Sequence, residues 1–123
     1  VTRFGYFLSS EEHDPREIVR QARLAEEAGF DGLWISDHFH PWLDAQGNSG
    51  FVWSMIGAIS QACSLPVTTA VTCPLSRTHP AIVAQAAATS ALLTQDRFTL
   101  SRPTRPGHRT EPDRPVSRPR RSR

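Results

Sequence analysis

The sequence predicts a parallel α/β fold: the N-terminal portion, about three and a half β/α units, of a TIM (β/α)8 barrel. Three observations carry this. Apolar, strand-like segments begin near residues 4, 33, 67 and 98, a spacing of about 30, the length of a strand plus a crossover helix. The segments between them carry apolar residues at helical intervals, which covers a parallel sheet with helices. No Gly-rich phosphate loop follows the first strand, which argues against a dinucleotide-binding open sheet. The chemically capable side chains cluster after the second strand instead.

Residues 3–8, Arg-Phe-Gly-Tyr-Phe-Leu, form the first predicted strand, with a loop from Ser9 to His13. A helix start follows: Asp14 can cap, Pro15 suits the first helical position, and Glu17 stands three residues after the cap. Ile18, Ala22 and Ala25 share one face, and Gly29 is a natural terminator. The second strand, around Leu33-Trp34-Ile35, runs into Ser36-Asp37-His38-Phe39-His40-Pro41-Trp42. A polar loop, Leu43 to Gly50, leads to a second helix over Phe51 to Cys63, with Met55, Ile56, Ile59 and Ala62 at helical intervals. Leu65 to Cys73 reads as a third strand closed by Pro74. An Ala-rich third helix runs from Pro80 to about Thr94, its Ala face a close-packing surface for the sheet. Arg97 to Leu100 begin a fourth strand.

Charge divides the chain into a domain over 1–100 and a tail over 101–123. Residues 1–100 hold six Arg against ten Asp and Glu, and residues 101–123 hold eight Arg against two. With five Pro and Val116 as its one aliphatic apolar residue, the tail is expected to be disordered. A frameshift or truncation is its expected origin, because out-of-frame GC-rich codons yield Arg and Pro. Cys63 and Cys73 are no disulfide framework and read as free, buried thiols. The sequence shows no signal peptide and no run of apolar residues long enough to cross a bilayer, so a cytoplasmic location without membrane association is expected.

The stretch after the second strand brings a carboxylate, two imidazoles and an indole to the end where α/β folds build their sites. His38 has the intrinsic acidity of a general base. Asp37 can orient or charge-stabilise it, provided the backbone bends, since neighbours in a strand point to opposite faces. Taken alone, these residues have plainer readings. His38 and His40 can be loop residues with satisfied hydrogen bonds, Glu11 a solvated loop acid, and Trp34 and Trp53 core. Two other functions remain open on composition and spacing. His38 and His40 could form the H-x-H pair of a metal hydrolase, although few further ligands are at hand. The Arg-rich tail could bind nucleic acid or a protein partner, but it has no aromatic residue for base stacking, so no specific nucleic acid is expected.

Four motifs occurring in order carry a resemblance. They are Gly5-Tyr6, Ser36-Asp37-His38-Phe39 with Pro41-Trp42, Thr69-Ala70-Val71-Thr72-Cys73-Pro74, and His79-Pro80-Ala81-Ile82-Val83-Ala84-Gln85-Ala86. Over about residues 3–100 the chain resembles the luciferase-like flavin/deazaflavin oxidoreductases, and within them the coenzyme F420-dependent glucose-6-phosphate dehydrogenase-like proteins. The resemblance implies hydride transfer from an alcohol or sugar-phosphate hemiacetal to coenzyme F420, with FMN-dependent monooxygenation as the alternative. It implies a small-molecule substrate and a homodimeric state. It makes His38 the base, sets Trp42 and Glu11 in the active site, and gives Asp37, Ala70, Val71 and Cys73 contacts with the deazaflavin; no metal is implied. Near Ala70 and Val71 it implies a strained backbone, in some members a non-proline cis peptide. Ala70 and Cys73 depart from the hydroxyl residues usual there, so two of the coenzyme's hydrogen bonds lack their usual hydroxyl partners. Family members continue past the fourth strand into a Gly-rich segment bearing a functional Glu and four further units. Three and a half units do not close a barrel, so little activity is expected of this chain alone.

Overall fold

The computed structural model describes residues 1–73 and 77–103. Four parallel strands lie side by side in sequence order: β1 (Gly5–Leu8), β2 (Gly32–Ile35), β3 (Val67–Thr69) and β4 (Phe98–Thr99). Between them run α1 (Pro15–Glu27), α2 (Val52–Ala62) and α3 (Pro80–Leu93). A doubly wound sheet reverses its strand order at a switch point, whereas a barrel adds each strand beside the last. The unbroken order is therefore that of barrel units.

The local signals act as the sequence predicts. The Asp14 carboxylate accepts from the backbone N–H of Arg16 at 2.8 Å and of Glu17 at 3.1 Å, and Pro15 opens α1. At the other end Gly29 adopts φ +82°, and the N–H groups of Phe30 and Gly29 return to the carbonyls of Ala25 and Glu26. This is a Schellman ending, which only glycine makes without a Cβ penalty. Ile18, Ala22 and Ala25 are buried on the inward stripe.

Strand register sorts the side chains onto two faces. One row aligns Tyr6, Leu33, Val67 and Phe98, and another aligns Leu8, Ile35 and Thr69. These rows meet the helices, and Leu8, Leu33, Ile35, Val67, Ile18, Ile56 and Ile59 form the core. The opposite row aligns Phe7, Trp34, Thr68 and Thr99, and none of the described helices lies over it. Trp34 therefore departs from its expected place in the core. It is 51% exposed on the uncovered face, its indole lying across Gly5. Trp53 is half-buried and packs edge-on against Phe98.

Three further expectations are corrected. The third strand ends at Thr69, and Ala70 to Cys73 lie outside it, with the Ala70–Val71 peptide bond cis as the resemblance implies. Cys63 is buried at the end of α2, but Cys73 is exposed because the chain has already left the sheet. The Ala face of α3 is not a tight seam, for its buried residues are Val83 and Ser90. Pro74 and residues 104–123, including the tail's expected disorder and its binding role, lie outside the described residues.

Candidate active site

Each strand ends just before a group of polar residues, so the site forms at the carboxyl rim of the sheet. β2 stops at Ile35, and Ser36 and Asp37 follow outside the strand. The alternation rule lapses there, and both side chains are buried on successive residues, Ser36 at 1% and Asp37 at 6% exposure. This is the bend that the sequence requires if Asp37 and His38 are to serve one site.

Glu11 reaches this rim from the turn after β1, where the N–H groups of Glu12 and His13 both close on the Ser9 carbonyl. Its side chain is buried, and its Oε1 lies 2.6 Å from His38 Nδ1. The approach is off the line of a ring N–H, so it is a charge contact, and Oε1 has no hydrogen bond among the described residues. Trp42 donates its indole N–H to the same Nδ1 at 3.1 Å and meets the imidazole edge-on. The His38 side chain is one-third exposed, and its other nitrogen, Nε2, makes no hydrogen bond among the described residues. Ser49 fixes the backbone by donating to the His38 carbonyl at 2.7 Å. Three residues that the resemblance assigns to catalysis, Glu11, His38 and Trp42, thus meet at one nitrogen.

Asp37 sits on the other side of the rim. Its Oδ1 pairs with the guanidinium of Arg77, while Oδ2 is buried without a partner among the described residues. Thr72 Oγ1 is likewise buried and unpartnered. Among the described residues the three buried polar atoms in this condition, Glu11 Oε1, Asp37 Oδ2 and Thr72 Oγ1, follow β1, β2 and β3 respectively. Native proteins rarely leave such groups unsatisfied away from a functional site. Of the remaining expected contacts, Ala70 and Val71 are half-buried beside the end of β3, and Cys73 is exposed.

His40 turns away. Its Nδ1 lies 2.9 Å from the Pro41 carbonyl and the ring is exposed, so it does not join His38. Among the described residues no group of three or more His, Cys, Asp or Glu is arranged to hold a metal ion. The shallow cavity bounded by His38, Phe39, His40, Pro41 and Trp42 has a volume of about 280 Å³. A larger one, about 480 Å³, lies elsewhere, on the uncovered sheet face among Phe4, Tyr6, Trp34 and Pro66. Its charged lining is Arg3 and Asp31. The chemistry decides between them: the His38 imidazole, the buried carboxylates and the unsatisfied atoms all belong to the carboxyl rim.

Sequence reasoning singled out neither Ser36 nor Arg77. Ser36 stood beside Asp37 in the motif, and a small hydroxyl before a buried carboxylate was the available signal. Arg77 is forty residues from Asp37, and no local pattern predicts that pair.

Sequentially ordered parallel strands with an imidazole and buried carboxylates at their carboxyl ends have the architecture of β/α-barrel units, whose active sites are built at that rim. The family follows from comparison: residues 2–101 match the luciferase-like monooxygenases, and the chain belongs to that family. It is 42% identical over 97 residues to the F420-dependent hydroxymycolic acid dehydrogenase of Mycobacterium tuberculosis, a match covering 78% of this chain and 27% of the relative. It is 37% identical over 101 residues to the F420-dependent glucose-6-phosphate dehydrogenase of Amycolatopsis mediterranei, covering 81% and 30%. Among solved structures it is similar to an F420-dependent secondary alcohol dehydrogenase in complex with an F420-acetone adduct. That match has a TM-score of 0.76, 41% identity, and covers 80% of this chain and 30% of the other. The chain therefore spans less than a third of the length of these relatives. It corresponds to the first β/α units of the barrel.

Proposed function

We propose that residues 1–100 supply the base and one wall of the coenzyme site of an F420-dependent oxidoreductase acting on an alcohol or a sugar-phosphate hemiacetal. The observation that carries this reading is the convergence, at the carboxyl rim, of buried polar atoms unsatisfied among the described residues, beside an imidazole whose Nε2 has no hydrogen bond among them. The names of the relatives, all F420-dependent, support the choice of coenzyme.

Asp37 Oδ2 is a buried acceptor aligned with nothing in the described chain, which suits a ring N–H donor of a deazaflavin. Ala70 and Val71 would lie under the ring and contribute contact area, and Cys73 would stand at its edge. Bound there, the deazaflavin supplies a two-electron acceptor for hydride. The chain's own part is proton chemistry. His38 Nε2 accepts the hydroxyl proton as the substrate C–H bond gives up its hydride and the carbonyl forms. Glu11 stabilises the resulting imidazolium through Nδ1, and Trp42 packs against the ring and limits its rotation.

Fluorescence titration of the chain with F420 and, separately, FMN tests the reading. Quenching by F420 that is weakened in Asp37→Asn supports it. Binding of FMN alone favours the monooxygenase alternative, and saturable binding of neither overturns the assignment.

A further inference from the structure

The Nδ1 atom of His38 faces two groups that demand opposite things of it. Trp42 donates an N–H at 3.1 Å, which needs a lone pair on Nδ1 and puts the ring proton on Nε2. Glu11 brings a carboxylate oxygen to 2.6 Å, off the N–H line, and its negative charge favours a proton on Nδ1, which leaves Nε2 with its lone pair. A neutral imidazole has one N–H and one lone pair, so it satisfies one of these at a time. Only the second arrangement leaves Nε2 able to accept a proton. Competence as a base therefore depends on how firmly Glu11 is aimed.

Ser36 is the residue that aims it. Its hydroxyl, buried at 1% exposure, donates to Glu11 Oε2 at 2.7 Å. The Leu8 carbonyl is a poorer recipient at 3.4 Å, and the hydroxyl has one proton to give. Its lone pair accepts the Ser10 N–H at 2.9 Å, which fixes the direction of the donated proton. Ser9 adds a longer contact to the same carboxylate oxygen at 3.3 Å. With Oε2 held, Oε1 is the oxygen left to face Nδ1. We propose that Ser36 is a positioning residue that, by orienting Glu11, selects the tautomer of His38 with a free Nε2. This rests on the reading of His38 as the base.

The test is the ring ¹⁵N spectrum of His38 in the full chain at a pH where the ring is neutral, a readout that needs no coenzyme. The proposal expects Nδ1 protonated and Nε2 bare in the parent chain. Ser36→Ala removes a hydrogen bond to a charged group, and the ratio of tautomers moves roughly tenfold toward Nε2–H. Glu11→Gln moves it the same way, Trp42→Phe moves it oppositely, and Ser36→Thr restores the parent ratio. Ser10→Ala loosens the loop, through the 3.0 Å bond from its hydroxyl to the Ser36 carbonyl, without touching the Glu11 contact, and leaves the ratio unchanged. Should Ser36→Ala fail to fold, the near-isosteric Ser36→Cys, a weak donor, gives the same shift. A ratio unmoved by Ser36→Ala or Ser36→Cys overturns the proposal, as does a parent chain with a bare Nδ1. Loss of F420 binding with the tautomer response intact overturns the coenzyme reading and leaves the positioning role standing.

Discussion

Replacing Arg77 by Met leaves the Asp37 carboxylate buried without its cation. The two side chains differ in exposure, 2% for Asp37 and 25% for Arg77. Removing one partner of a fully buried pair costs ~3–5 kcal/mol because the other charge is stranded. Since Arg77 is a quarter exposed, solvent screens part of the pair, and ~2–3 kcal/mol is the expected loss. With a urea slope of ~1 kcal/mol/M, the unfolding midpoint falls by ~2–3 M. Asp37→Asn costs less, about 1 kcal/mol, because the freed guanidinium can turn to water. The double variant Asp37→Asn/Arg77→Met recovers most of what Arg77→Met loses. Equilibrium urea unfolding by far-UV circular dichroism measures all three. Equal losses from the two single variants, or a loss below ~0.5 kcal/mol for Arg77→Met, contradict the buried, stranded carboxylate.

Asp14→Ala removes the acceptor for two N–H groups at the start of α1 and is expected to cost ~1 kcal/mol in the same assay. Ellman's reagent should titrate Cys73 rapidly and Cys63 only on unfolding, since burial pushes the Cys63 thiol up while Cys73 is exposed; two fast thiols would contradict the packing of α2. The hydroxyl and then the N–H of Ser64 hold the Glu26 carboxyl below its ordinary range, and Arg20 followed by Gln21 takes Glu17 down to about 2. Both carboxyls are held lower folded than unfolded, so these bonds stabilise the chain above the ordinary carboxylate range and are lost as pH falls, for Glu17 toward about 2. Glu17→Gln with Glu26→Gln should flatten the stability–pH curve in that window, and an unchanged curve would remove both bonds from the account.

Much of the frame is legible in the sequence because its causes are local. Asp14, Pro15 and Gly29 fix the ends of α1 within a few residues of themselves, and Ile18, Ala22 and Ala25 show its inward stripe. The place of the site was legible for a similar reason: Ser36 to Trp42 follow a strand directly. What escaped depended on the third dimension. Trp34 looks like core because it is a large apolar residue in a strand, yet register sets it with Phe7 on the face that the helices do not cover. Composition cannot say which face of a parallel strand a neighbour fills. The sequence predicts a longer third strand than forms, because Val71, Thr72 and Cys73 favour extended backbone even where the ladder has ended. Arg77 and Ser36 matter through partners 40 and 25 residues away, distances at which sequence patterns carry no geometry.

Amide chemical-shift mapping of the ¹⁵N-labelled chain during addition of F420 asks where the coenzyme sits. Perturbations confined to Ser10 to Glu12, Ser36 to Trp42 and Ala70 to Cys73 are the expected result, with Asp31, Gly32 and Gly5 at the opposite rim unmoved. Shifts centred on Phe4, Asp31 and Trp34, at the larger cavity on the uncovered face, would contradict a coenzyme site built on the carboxyl ends of these strands.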